Sequence, residues 1–121
     1  MILVDTSVWI DHLRTTDAQL VIKLEEAAVC THPMVIGELA LGSLRDRRSV
    51  LDLLTNLPSS LAATHAEVLA MIEAFALSGS GLGLVDAHLL AAARIDAGVR
   101  LWTRDRRLLA AAERLGVAAG V

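Results

Sequence analysis

The stretch Ile2-Leu3-Val4-Asp5-Thr6-Ser7 decides how the rest of the chain can fold. Its first three residues form a continuous apolar run, which is typical of a parallel strand buried on both faces. The run stops at Asp5-Thr6-Ser7, whose side chains favour a helix N-terminus. We therefore predict a buried strand that leads directly into a first helix at about residues 7–14.

The remaining sequence alternates between short apolar segments and longer amphipathic ones. Its periodicity predicts further helices at about residues 20–27, 33–41, 45–56, 65–78, 85–97 and 105–115. Short strands are predicted at residues 29–30, 60–63 and 99–103, with a weaker candidate at 117–121. Parallel strands need crossover connections, so this alternation indicates an α/β fold, an α/β/α sandwich with a central parallel sheet.

Length and composition restrict the class of protein. A chain of 121 residues is long enough for one core, so we treat residues 1–121 as a single domain. The hydrophobic fraction is 55%, but charged residues interrupt every long apolar segment, and we expect no membrane span. The start has no basic region before its apolar run, so we expect no signal peptide. Together with the lone Cys30, this favours a cytoplasmic protein.

The charge pattern bears on nucleic-acid binding. A net charge of −3 argues against binding through overall positive charge, because such affinity depends on Lys and Arg that neutralise phosphates. Any contact with a nucleic acid must therefore be local. The basic residues do cluster, although ordinary solvated helix faces would give the same pattern. The clusters are Arg45, Arg47, Arg48 and Arg104, Arg106, Arg107.

Most of the 14 acidic residues should be ordinary surface charges. Asp11 has Arg14 three residues further on, a pairing that needs no function to explain it. Glu38 differs, because its helical neighbours one turn away are apolar, and a carboxylate there is costly unless something pairs with it. Glu73 has similar neighbours, but no predicted strand leads to it, so we rank it lower.

Three aspartates stand near predicted strand ends or helix starts. Asp5 and Asp105 follow predicted strands, and ligands of open α/β sheets bind in the crevice outside such ends. Asp86 has apolar neighbours one turn away. Each of the three has a simpler interpretation as a helix N-cap, which stabilises by about 1 kcal/mol. That alternative stays open for each residue alone, but it does not explain Glu38.

Convergence of these four acids would demand a cation. Two like charges about 4 Å apart repel by about 4 kcal/mol at an effective dielectric near 20. Oxygen ligands select hard ions such as Mg²⁺ or Mn²⁺, so the pattern indicates a site for one of these ions. The histidines lack the spacing of zinc ligands.

With these positions identified, the chain resembles PIN-domain ribonucleases, and specifically the VapC-type toxins of prokaryotic toxin-antitoxin pairs. Four segments in this order carry the resemblance: Ile2 to Ile10, Val35 to Leu39, Val85 to Ala91 and Leu101 to Asp105. The resemblance implies a PIN-like three-layer sandwich, Mg²⁺- or Mn²⁺-dependent cleavage of RNA, a VapB-type antitoxin partner and a homodimer.

The resemblance also implies roles for particular residues. The family's principal metal-binding and catalytic acids match Asp5, Glu38 and Asp86, and its more variable fourth acid matches Asp105. Ser7 and Thr103 match supporting hydroxyl positions, although capping and turn hydrogen bonds explain them equally well. We consider two arginines beside the fourth acid to be RNA-contact candidates, namely Arg104 and Arg106.

The same acidic residues allow two other functions. A phosphoaspartate hydrolase would also place an acid after the first strand, but this chain lacks a second acid two residues later. A non-cleaving RNA-binding or regulatory module with the PIN fold is the serious alternative. Metal-dependent cleavage would separate it from a nuclease.

Overall fold

The first strand lies in the middle of a small parallel sheet. The computed structural model describes residues 1–121, and in it β1 (Ile2–Val4) pairs with β2 (Val29–Cys30) on one side and β3 (Arg100–Trp102) on the other. Leu3 stands opposite Cys30 and Leu101, and it is fully buried. The prediction of an α/β fold around a buried parallel strand is thus confirmed.

Seven helices make up most of the remaining chain. Two of them connect β1 to β2, four lie between β2 and β3, and one follows β3. None of the seven has the length and apolar content needed to cross a membrane. They are α1 (Thr6–Arg14), α2 (Ala18–Glu25), α3 (Pro33–Leu41), α4 (Arg47–Asn56), α5 (His65–Ala74), α6 (Leu84–Ile95) and α7 (Arg106–Arg114).

Helix α6 is the central helix of the core. It contacts β3 and three other helices, namely α3, α5 and α7. Every residue from Ala87 to Ala93 is buried, and Leu89 and Leu90 are fully so. Because this helix is anchored along its length, its first turn, which carries Asp86, has a fixed position relative to the sheet.

Two predicted strands are wrong. Residues 60–63 form no strand, and the backbone joins the sheet only through a single parallel bridge between Thr31 and Ser59. Residues 117–121 likewise contribute only a bridge between Leu101 and Ala118. In both places the chain runs beside a sheet edge just long enough for two backbone hydrogen bonds.

The helix boundaries also differ from the predicted ones. The helix predicted at residues 65–78 ends at Ala74, because Ala76 adopts a left-handed backbone with φ of 51°. Likewise α2 ends at Glu25, shortly before the left-handed Ala27. The apolar residues beyond both ends suggested longer helices, but a left-handed residue terminates a helix whatever its side chain.

Truncating a buried side chain of α6 should destabilise the protein far more than truncating an exposed helical side chain. We expect Leu90→Ala to lower the free energy of unfolding by about 2 to 5 kcal/mol, because it leaves a cavity in a filled core. Leu41→Ala is the matched control, since Leu41 is also helical but 92% exposed. Equal effects of the two substitutions in urea unfolding would contradict this arrangement of the core.

Candidate active site at the carboxyl ends of the strands

Asp5 continues the central strand to the point where the chain turns into a helix. Its backbone N–H donates to the carbonyl of Trp102 at 2.9 Å, which extends the pairing between β1 and β3 by one residue. Its side chain is the N-cap of α1, and the residue is only 5% exposed. Hydrogen bonds therefore hold both the backbone and the side chain of Asp5 at the buried junction between β1 and α1.

One oxygen of Asp5 accepts most of the hydrogen bonds in this junction. The Ser7 hydroxyl donates to Asp5 Oδ2 at 2.6 Å, and the Thr103 hydroxyl donates to the same oxygen at 2.8 Å. These two hydroxyls come from the segments that follow β1 and β3. The other oxygen, Oδ1, accepts no hydrogen bond from the protein, so it is free to bind a ligand.

The two hydroxyls also hold the backbone after β3. Ser7 Oγ accepts from the Arg104 N–H at 3.1 Å, and Thr103 Oγ1 accepts from the Asp105 N–H at 3.1 Å. Since each hydroxyl has a single proton and gives it to Asp5, these backbone contacts use the oxygen lone pairs. The residues predicted as supporting hydroxyls therefore also orient the segment that carries Asp105.

The other three acids repeat the division between a bonded and a free oxygen. Asp105 is the N-cap of α7, and its Oδ1 accepts from the Leu108 N–H at 3.0 Å. Asp86 Oδ2 accepts from the Gly83 N–H at 3.1 Å. In each of these aspartates the second oxygen has no hydrogen-bond donor. The N-cap interpretation is thus correct for Asp105, and it leaves one oxygen for a ligand.

Glu38 is oriented by a residue that sequence reasoning missed. The Thr6 hydroxyl donates to Glu38 Oε1 at 2.7 Å, which ties α3 to the start of α1. Thr6 directly follows Asp5, and this adjacency was the only signal in the sequence. The predicted apolar surroundings of the Glu38 carboxylate are wrong. Glu38 is exposed, and so are its helical neighbours Met34 and Leu41.

The four carboxylates interact electrostatically around Asp86. Partial burial raises the pKa of Asp86 above its usual value, and the charges of the other three acids, Asp5, Asp105 and Glu38, raise that pKa further. The hydrogen bond from Gly83 opposes the shift. None of the chain's ion pairs involves these four acids, so no basic side chain neutralises them.

The donor set fits a hard divalent cation, although it is not arranged as a finished cage. No three acidic, histidine or cysteine side chains stand in a geometry that would hold a metal ion as they are placed. However, four carboxylates each keep an oxygen without a donor, and all of these atoms are of the type that Mg²⁺ and Mn²⁺ prefer. A cation would also relieve the mutual repulsion that raises the pKa of Asp86.

Comparison with known proteins places this chain in a family. The PIN domain family profile matches residues 2–114, nearly the whole chain. The chain belongs to the PIN-domain family. Two proteins named Ribonuclease VapC32, from Mycobacterium tuberculosis strains CDC 1551 / Oshkosh and ATCC 25618 / H37Rv, are each 55% identical over 118 residues. The match covers 98% of this chain and 95% of each relative. The similarity to VapC-type proteins is confirmed.

The arginines beside the fourth acid of this PIN domain differ in their surroundings. Arg104 forms ion pairs with Asp11 and Asp17, so its guanidinium is already occupied. The predicted pairing of Asp11 with Arg14 is therefore wrong, because a more distant partner in the sequence reaches Asp11. Arg106, the first residue of α7, is exposed and belongs to none of the ion pairs.

Neutralising Asp86 should stabilise the PIN domain when no metal is bound. In Asp86→Asn the amide oxygen still accepts from the Gly83 N–H, but the repelled charge is gone. In excess chelator at neutral pH we expect the midpoint of thermal unfolding to rise by a few degrees. Added Mn²⁺ should then raise the midpoint of the wild type more than that of the variant.

The pH dependence of this difference follows from the raised pKa. An acid with a raised pKa in the folded state destabilises the fold above that pKa, and the penalty disappears as the pH falls to the unfolded value. The advantage of Asp86→Asn should thus grow as the pH rises above about 3.8 and vanish below that value. A variant that is less stable than the wild type in chelator at pH 7 would contradict the electrostatic cluster.

Proposed function

We propose that this protein is a Mg²⁺- or Mn²⁺-dependent endoribonuclease that acts as the toxin of a type II toxin-antitoxin pair. The observation that carries the proposal is the group of four acids, each with one unbonded oxygen and none with a basic partner. The 55% identity to proteins named as VapC-type ribonucleases supports RNA as the substrate.

The reaction is hydrolysis of a phosphodiester bond. Asp5, Asp86, Glu38 and Asp105 would hold the cation. A bound Mg²⁺ or Mn²⁺ would acidify a water molecule and stabilise the charge that develops on the phosphate. The chain itself contributes by holding these four carboxylates in position.

The acids differ in what their surroundings allow them to do. Asp5 is buried and held by two hydroxyls, and Asp86 is half-buried on an anchored helix. These two would therefore provide the rigid part of the metal site. Glu38 and Asp105 are exposed. Solvent water and an RNA strand reach these two first, so we assign them the task of orienting the attacking water.

The substrate must overcome the negative charge of the site. With a net charge of −3, the chain attracts RNA only through local basic groups. Arg106 follows Asp105 directly and is exposed, so we assign it the contact with a phosphate of the RNA. Arg106 therefore remains a candidate for RNA contact.

Partners follow from the same proposal. Glu38 itself lines a cavity of about 320 Å³ at the surface of α1 and α3, whose other lining residues are four apolar ones together with Arg14, Gly42 and Ser43. A cavity in which apolar side chains adjoin Glu38 suits a protein segment that covers the site, which supports a VapB-type antitoxin. A homodimer and a cytoplasmic location belong to the proposal through the likeness to VapC-type proteins.

The test is cleavage of RNA by the chain purified without its partner. A pool of cellular RNA would be incubated with Mg²⁺, with Mn²⁺ or with excess chelator, and cut sites would be mapped by sequencing. We expect discrete cuts that need metal and fall at least about 100-fold in Asp5→Asn and Glu38→Gln, because these substitutions remove ligands of the cation.

Glu73→Gln is the matched control for Glu38→Gln. Glu73 is also a helical glutamate and exposed, but it lies on α5, outside the acid cluster. Its variant should cut like the wild type, which would show that the loss in Glu38→Gln depends on the position of the glutamate, while the loss in both site variants would exclude a contaminating nuclease. A chain that binds RNA but cleaves none with either metal would contradict the nuclease and favour the non-cleaving module.

A further inference from the structure

Arg104 has more partners than any other basic residue of the chain. Its Nη1 donates to Asp11 Oδ2 at 2.8 Å, and its Nη2 pairs with Asp17 Oδ2. The guanidinium also lies 5.6 Å from the centre of the Trp102 ring. These contacts hold a long, flexible side chain in one place, and the Asp17 side chain is only 17% exposed.

The partners of Arg104 belong to different elements. Asp11 lies on α1, and Asp17 is the N-cap of α2, where it accepts from the Leu20 N–H at 3.0 Å. Arg104 itself lies between Thr103 and Asp105, in the segment that follows β3. The ion pairs therefore join this segment to α1 and to the start of α2.

We propose that Arg104 is a positioning residue: by holding Asp11 and Asp17 it fixes the segment after β3 against α1 and so sets the distance between Asp105 and Asp5. This inference rests on the proposed function, because the distance matters for the cation that the two acids share. The hydroxyls of Ser7 and Thr103 accept from the backbone of the same segment.

The geometry argues against the alternative role of Arg104 in RNA binding. Both terminal nitrogens of the guanidinium face carboxylates, and two negative charges surround one positive charge, so the local field does not attract a phosphate. The hydrogen bond from Arg104 also holds the pKa of Asp17 below its usual value, and Asp17 therefore stays ionised at neutral pH. The pairing persists under the conditions in which an RNA would bind.

The two roles predict opposite effects for the same substitution. If Arg104 contacts RNA, removing the charge of Asp17 frees the guanidinium and lowers the KM for RNA. If Arg104 positions Asp105, the same change weakens metal binding and leaves the KM unaltered. Asp17→Asn is suited to this comparison, because Asn caps a helix as well as Asp does.

The experiment compares Arg104→Gln, Arg104→Lys, Asp11→Asn and Asp17→Asn with the wild type. Lys keeps the charge but cannot pair with two carboxylates in the same fork geometry, so it tests geometry rather than charge. Lys23→Gln is the control, since it breaks an ion pair with Glu26 at the carboxyl end of α2 that involves none of the four acids. Mn²⁺ affinity is measured by calorimetry, and kcat and KM are measured with an RNA that the wild type cleaves.

We expect Arg104→Gln and Asp17→Asn to raise the dissociation constant for Mn²⁺ by about 3- to 10-fold. The kcat at limiting Mn²⁺ should fall by a similar factor and recover in excess Mn²⁺, and the KM for RNA should stay within about two-fold. Arg104→Lys should lie between Arg104→Gln and the wild type, and Lys23→Gln should match the wild type.

A second measurement needs neither metal nor substrate. The N–H groups of Arg104 and Asp105 donate to Ser7 and Thr103, so their hydrogen exchange in chelator reports how firmly the segment is held. Exchange at these two amides should be faster in Arg104→Gln, while amides of β1 keep their wild-type rates. A merely structural loss would speed exchange throughout the chain and leave the Mn²⁺ affinity of the folded protein unchanged.

The outcomes separate this proposal from the proposed function. A wild-type chain that neither binds Mn²⁺ nor cuts RNA overturns both. If the wild type binds and cuts but the variants keep its Mn²⁺ affinity, only the positioning role fails. A higher KM in Arg104→Gln together with a lower KM in Asp17→Asn would show that Arg104 contacts RNA instead.

Discussion

The buried carboxylate of Asp5 is the interaction on which the rest of the site depends. A charge at 5% exposure is costly unless donors surround it, and here the hydroxyls of Ser7 and Thr103 supply them. The Ser7 bond stays within the segment after β1, whereas the Thr103 hydroxyl comes from the segment after β3, so its hydrogen bond to Asp5 joins the ends of these neighbouring strands. The Thr103 hydroxyl also accepts from the backbone N–H of Asp105. The hydrogen bonds that stabilise the carboxyl ends of β1 and β3 therefore also set the positions of Asp5 and Asp105.

Each of the four acids accepts hydrogen bonds through one carboxylate oxygen and leaves the other without a donor. The bonded oxygens accept from Ser7 and Thr103, from Thr6, from the Gly83 N–H and from the Leu108 N–H. Such contacts fix the carboxylates before any ligand arrives, which lowers the entropy lost on binding. The remaining charges repel one another, and this repulsion is the driving force by which a divalent cation would stabilise the fold. The fold thus holds four carboxylates in place although the charges of three of them raise the pKa of Asp86.

The sequence predicted those features that follow from local patterns. The apolar run at Ile2 to Val4 indicated a buried strand, and the cap residues after it indicated α1, because both depend on neighbours in the chain. Features set by tertiary contacts were missed. Asp11 pairs with Arg104, 93 residues away, rather than with Arg14 on its own helix. The exposure of Glu38 depends on which face of α3 meets the core, and the apolar residues on both faces concealed that. The strand predicted at residues 60–63 is absent for the same reason, and only a single bridge at Ser59 precedes it, since a partner strand decides how far pairing extends.

The most direct test of this account is to locate Mn²⁺ in crystals of the protein by its anomalous scattering. The account predicts a peak about 2.0 to 2.3 Å from oxygens of Asp5 and Asp86, at a distance usual for coordinated carboxylates, with Glu38 and Asp105 bound directly or through water. Asp5→Asn crystals treated identically should lose this peak. A wild-type crystal with Mn²⁺ elsewhere on the surface and no density among the four acids would contradict the account.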